Sequence, residues 1–130
     1  MNDETRSQLV TAALEVQQKA YAKYSNFWVG AALLTESGKI IAGCNVENAS
    51  YGLTICAERS AVFAAVGMGE TSFKAIAIAT AGGYPPCGAC RQVLAEFCGS
   101  LPVILVNSDD PADQQMHDLA QLLPGRFVLE

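Results

Sequence analysis

The chain has 130 residues, is 51% hydrophobic and carries a formal net charge of −5 with a sequence pI near 4.7. An acidic chain without a basic stripe is a poor match for nucleic acid or an anionic membrane surface, so its charge favours a small partner that is not strongly anionic. The length suits one domain spanning residues 1–130, with a substantial core and no linker.

The stretch Met1 to Arg6 is polar and has no apolar signal-peptide core, and no apolar run is long enough to span a bilayer, so the expected location is cytoplasmic. Asp3 to Ala22 reads as a helix capped by Asp3, with Leu9, Ala13, Val16 and Ala20 on one face. Lys23 to Asn26 breaks that pattern. Val29 to Thr35 and Ile40 to Cys44 are strand-length apolar runs. Glu36-Ser37-Gly38-Lys39 supplies turn chemistry between them, which predicts a hairpin. Asn45 to Thr54 is a polar loop long enough to carry function.

A helix is expected from Ile55 to about Val66, ending at Gly67 and Gly69. Lys74 to Thr80 reads as a buried strand. A helix from Cys87 or Gly88 to Cys98 follows, then a short strand from Pro102 to Val106. Ser108 to Gln115 is polar, and His117 to Leu123 and Arg126 to Leu129 are ambiguous. Strands joined through helices require crossovers, so the expected architecture is an α/β/α layered domain with a mixed sheet. Gly67 and Gly69 follow a helix rather than a strand and form no phosphate loop.

The cysteines are Cys44, Cys56, Cys87, Cys90 and Cys98. An odd count in a reducing compartment points to metal or catalysis, not to a disulfide framework. Cys87 and Cys90, three residues apart on the first turn of a helix, share a face and can reach one ion. Cys56 opens another helix and is the natural third ligand. Three thiolates suit one Zn²⁺ with a fourth position open. Positive helix ends would favour the thiolates.

Glu58 is then placed to handle the protons of a water at that position. Arg59 would donate to the sulfurs and offset their charge. The competing readings are a structural zinc knuckle and a closed four-cysteine site that recruits Cys44, leaving no work for Glu58. A capping-box role for Glu58 would need Ser or Thr where Ile55 stands. Cys98 reads as a small buried apolar group.

Cys56-Ala57-Glu58 followed by Pro86-Cys87-Gly88-Ala89-Cys90 resembles the zinc nucleoside and base deaminases. Cys56, where many relatives have histidine, resembles the small homotetrameric cytidine deaminases. Asn26-Phe27, Val29 to Leu33, Gly43 to Gly52, Cys90-Arg91-Gln92 and Leu122 to Phe127 carry the likeness across most of the chain. The resemblance implies a three-layer α/β/α sandwich with a mixed five-stranded sheet. It also implies hydrolytic deamination of cytidine and 2′-deoxycytidine in pyrimidine salvage, with one zinc per chain.

By the same resemblance Cys56, Cys87 and Cys90 hold the metal and Glu58 moves the protons. Asn45 and Glu47 bind the ribose hydroxyls, Phe27 packs on the base, and Ala57 lies against the substrate. Phe127 closes over the base of a neighbouring subunit, while Ala49 and Tyr51 line the subunit contact of a homotetramer with composite sites. Trp28 departs from the proline common in relatives, which leaves open how the Phe27 loop sits. An aminonucleoside antibiotic deaminase shares the metal motif; the Asn45 and Glu47 pair favours a plain ribose.

Overall fold

A computed structural model of the chain describes residues 1–129. Its elements are α1 (Asp3–Gln17), β1 (Gly30–Thr35), β2 (Ile40–Cys44), α2 (Ala57–Gly67), β3 (Phe73–Thr80), α3 (Gly88–Phe97), β4 (Pro102–Asn107), β5 (Gln114–Asp118) and α4 (Leu119–Leu122). A 3₁₀ turn at Tyr51–Leu53 lies in the loop before α2. No helix of the described residues is long and apolar enough to cross a membrane.

The five strands run in the order β2-β1-β3-β4-β5. The β1–β2 hairpin forms as expected, with Leu34 opposite Ile40 and Gly30 opposite Cys44. β1 is also antiparallel to β3, whereas β3 and β4 are parallel and therefore need the crossover that α3 provides. The sheet is mixed, and it is the five-stranded α/β/α sandwich expected.

Strand alternation sends two different surfaces to the two faces. Ala32, Leu34, Ala75, Ala77, Ala79, Ile104 and Val106 pack under Leu9, Val10 and Ala13 of α1. Leu33, Ile76, Ile78, Val103 and Leu105 face the opposite way, against Ala61, Val62 and Ala65 of α2 and Leu94 of α3. The alanine-rich face lets α1 lie close to the sheet. At Gly30 an added Cβ would sit 2.1 Å from the Ala13 carbonyl oxygen, so only glycine admits the helix there. Gly43 does the same for α2, where a Cβ would lie 2.4 Å from the Ala61 nitrogen.

Two expectations need correction, and one segment left unassigned proves to be a strand. The cap of α1 is Asn2, whose Oδ1 accepts from the Thr5 N–H at 2.8 Å; Asp3 is already helical. That helix also ends at Gln17, not Ala22, because Tyr21 leaves it to bridge Val46. The polar segment Gln114–Asp118 forms the edge strand β5, paired antiparallel to β4.

Candidate active site

The site lies at one end of the sheet, outside the C-terminal end of β3 and the start of β1. Cys56 and Cys87 are the N-cap residues of α2 and α3, and neither makes a side-chain capping hydrogen bond. Both helix starts therefore present uncapped backbone N–H groups beside the thiols. Cys56 Sγ lies 3.9 Å from Cys87 Sγ, and Cys87 Sγ lies 3.6 Å from Cys90 Sγ. All three sulfurs fall within 4.8 Å of one another. Zn–S bonds of about 2.3 Å at the tetrahedral angle separate two sulfurs by about 3.8 Å, so the spacing fits this ion.

Arg59 Nη2 donates to Cys56 Sγ at 3.3 Å, as its place beside Glu58 suggested. Hydrogen bonding with the Cys90 thiol first, and then the Arg59 guanidinium, brings Cys56 down to about 5 against the opposing effect of burial. Cys90 moves the other way, because it holds the proton for Cys56 and is itself buried. The cluster thus pulls its thiols in opposite directions, with Cys56 the one shifted toward the thiolate. Cys44, at the end of β2, is not part of it. The expected result for Cys44→Ala is undiminished zinc by elemental analysis; loss of the metal in that variant would favour a closed four-cysteine site.

Glu58 is 5% exposed and sits one residue into α2. Burial, and then the nearby Cys56 charge, pushes its carboxyl above the usual carboxylate range. Cys56, Glu58 and Cys87 line one cavity of about 210 Å³ with Phe27, Val29, Asn45, Thr54, Ile78, Thr80, Tyr84 and Pro85. A second cavity of about 370 Å³ is lined by Tyr24, Ser25, Glu47, Asn48, Tyr51 and Thr54. Thr54 lies on the boundary of both. Its Oγ1 accepts from the Asn48 N–H at 3.2 Å.

Phe27 borders the first cavity, its ring tilted at 58° to Tyr84 with centroids 6.1 Å apart. Its loop is clamped from two sides. Asn45 Oδ1 accepts from the Val29 N–H at 2.9 Å while Nδ2 donates to the Phe27 carbonyl at 2.8 Å. Gln17 Nε2 donates to the Trp28 carbonyl at 3.0 Å. Asn26 takes φ 56°, a left-handed conformation that asparagine tolerates better than most residues. Trp28 thus keeps the loop tied down while exposing 49% of its own surface.

Glu47 belongs to the second cavity. Its Oε1 accepts from the Tyr24 and Ser25 N–H groups at 2.9 and 3.1 Å, and its Oε2 accepts from the Ser25 hydroxyl. The Ser25 hydroxyl hydrogen bond is the main reason its carboxyl is held below the usual range. Of the other expected site residues, Ala57 is fully buried in the core and lines neither cavity with its side chain. Tyr51 is 77% exposed and borders the second cavity. Ala49 is exposed beside it. Phe127, 70% exposed, lies away from both cavities of its own chain. Thr54, Thr80 and Tyr84 were not expected from sequence, since only the fold brings them to the cavity.

Residues 3–105 match the family model described as the cytidine and deoxycytidylate deaminase zinc-binding region. The chain belongs to that family. This deaminase is 51% identical over 125 residues to the cytidine deaminase of Sporosarcina psychrophila, covering 94% of this chain and 90% of the other. It is 48% identical over 128 residues to the cytidine deaminase of Halalkalibacterium halodurans, covering 96% of each. The crystal structure of cytidine deaminase from Burkholderia pseudomallei superimposes with a TM-score of 0.89 at 47% identity, covering 98% of this chain and 100% of that one. The matched region is zinc-binding, which agrees with the donor set and spacing of the Cys56, Cys87 and Cys90 cluster.

Proposed function

We propose that this chain catalyses the hydrolytic deamination of cytidine and 2′-deoxycytidine, releasing uridine or 2′-deoxyuridine and ammonia, in cytoplasmic pyrimidine salvage. The observation that carries this reading is a buried carboxyl, Glu58, sharing one cavity with Cys56 and Cys87 of the three-thiol cluster. Relatives at 51% and 48% identity named cytidine deaminase support it. In this reading Cys56, Cys87 and Cys90 hold one zinc per chain. When bound, zinc supplies a Lewis acid that brings the pKa of a coordinated water to about 7.

Glu58 carries both proton transfers. It takes the first proton from water and gives it to ring N3, where it remains in the product. The oxygen forms its bond to C4, making that carbon tetrahedral. Glu58 then takes the second proton from the new hydroxyl and gives it to the amine as the C4–N bond breaks, so ammonia leaves and the C4 carbonyl forms. A carboxyl raised by burial suits this work, because burial strengthens its hold on a proton that it must both take and give. Arg59, donating to Cys56 Sγ, offsets thiolate charge.

Phe27 stacks on the base. Asn45 and Glu47 read the ribose hydroxyls, Asn45 with the N–H and lone pair left free by the loop it clamps. The backbone of Ala57 meets the substrate at the start of α2. Among the described residues, no lysine or arginine lines either cavity, so a phosphate would meet no cationic side chain there. This favours a nucleoside over a nucleotide. Incubating purified protein with cytidine and following loss of its ultraviolet absorbance tests the proposal. An unchanged spectrum with no ammonia would leave a structural zinc protein as the reading.

The assembly is a homotetramer with composite sites. Phe127, exposed on the C-terminal segment, closes over the base of a neighbour, and Ala49 and Tyr51 line the contact. Phe127→Ala should weaken nucleoside binding by about 0.5–1.5 kcal/mol for the lost aromatic contact, with a further area contribution, and leave zinc unchanged. A protein that sediments as a monomer while turning over cytidine normally would refute the shared site.

A further inference from the structure

Helix α3 carries two of the clustered thiols at its start, and the C-terminal segment is tied to the same helix at both ends. Arg91 Nε donates to the Pro86 carbonyl at 2.8 Å, and its Nη1 donates to the Leu122 carbonyl at 2.7 Å. Gln92 Nε2 donates to the Phe127 carbonyl at 3.4 Å. Arg126 Nη1 donates to the Ala95 and Cys98 carbonyls at 3.1 and 2.7 Å, closing the C-terminal end of α3.

The Pro86 carbonyl belongs to the peptide plane that leads into Cys87. Because that unit is rigid, fixing its oxygen fixes the position of the Cys87 Cα as well. The Leu122 carbonyl closes α4, and Pro124 to Phe127 follows directly. One half-buried guanidinium therefore spans the thiol loop and the root of the C-terminal segment. Arg59 acts on sulfur; the hydrogen bonds of Arg91 go to backbone oxygens. Lysine cannot replace it, since an ammonium lacks the planar fork that serves two carbonyls from fixed positions.

We infer that Arg91 is a positioning residue that locks the Cys87 thiol for metal retention and ties it to the segment that presents Phe127. This rests on the proposed roles of the three thiols and of Phe127. It makes metal retention in one chain and base closure by that chain's tail depend on the same side chain.

The test compares zinc-loaded parent, Arg91→Lys, Arg91→Ala and Gln92→Ala. Zinc release is timed with a colorimetric chelator, and KM and kcat for cytidine are measured per bound zinc. Both Arg91 variants should release zinc faster by roughly tenfold or more, the scale on which groups behind metal ligands act. Both should also raise KM. Gln92→Ala, which touches only the Phe127 end, should raise KM while releasing zinc at the parent rate. If Arg91→Ala fails to fold, Arg91→Lys decides. Zinc release from Arg91→Lys within about twofold of the parent, well short of that scale, overturns the inference, as does an unchanged KM. A parent that binds no zinc at all would instead overturn the reading of the three thiols.

Discussion

Glu58→Gln is expected to keep its zinc and its fold and to lose at least about 10²-fold in turnover, within the roughly 10²–10⁴-fold that one positioned acid/base supplies. The amide has nearly the same shape as the carboxyl, so the 5% exposed pocket that holds Glu58 need not repack. What disappears is the ability to receive a proton and pass it on. Glu58 is asked to do this twice per turnover, which places the loss toward the upper part of the range. Steady-state kcat at saturating cytidine, with zinc quantified in the same preparation, is the measurement. A variant within about tenfold of the parent would place the proton carrier elsewhere.

Gly43→Ala should lower stability by about 1–3 kcal/mol or more, the usual range for overpacking. The obstacle is backbone: the new Cβ would meet the Ala61 nitrogen at 2.4 Å and the Ser60 carbonyl carbon at 2.8 Å, and neither can rotate away. Helix α2 must then lift from β2, and Cys56 and Glu58 ride on its first turn. Each kcal/mol corresponds to roughly 2–8 °C in melting temperature for domains around this size. Gly67→Ala is the control, because nothing lies within 4 Å of the added Cβ. Calorimetry of the two variants side by side reads the difference, and equal melting temperatures would show that α2 does not rest on Gly43.

Local chemistry explains why some of this was legible in the sequence. The hairpin is marked by two apolar runs around a polar turn, and the Cys87–Cys90 spacing places two thiols on one helical turn wherever that helix lies. Cys56 could be joined to them only through its helix-start position and the family resemblance. Strand β5 stayed hidden because Gln114, Gln115, His117 and Asp118 carry no strand signature; pairing with β4 makes the strand. The early end of α1 was hidden for a similar reason, since Tyr21 is drawn away by Val46, far along the chain. Asn2 and Asp3 are both good caps, and residue type alone does not choose between them. Thr54 and Tyr84 lie on loops whose meeting is a property of the whole fold.

The side chain of Asn45 has a bearing on how the protein ages. Its amide works in two opposite senses within one loop, accepting from Val29 and donating to Phe27. Spontaneous hydrolysis of that amide to a carboxylate would barely change its size, but it would turn the donor into an acceptor facing the Phe27 carbonyl. Two oxygens would then oppose each other behind the aromatic wall of the cavity. Asn45 is only 7% exposed and its backbone carbonyl is engaged by the Tyr21 N–H, which restrains the local motion such chemistry requires. The loop that shapes the pocket thus also shelters the protein's own amide from the kind of C–N hydrolysis proposed for its substrate.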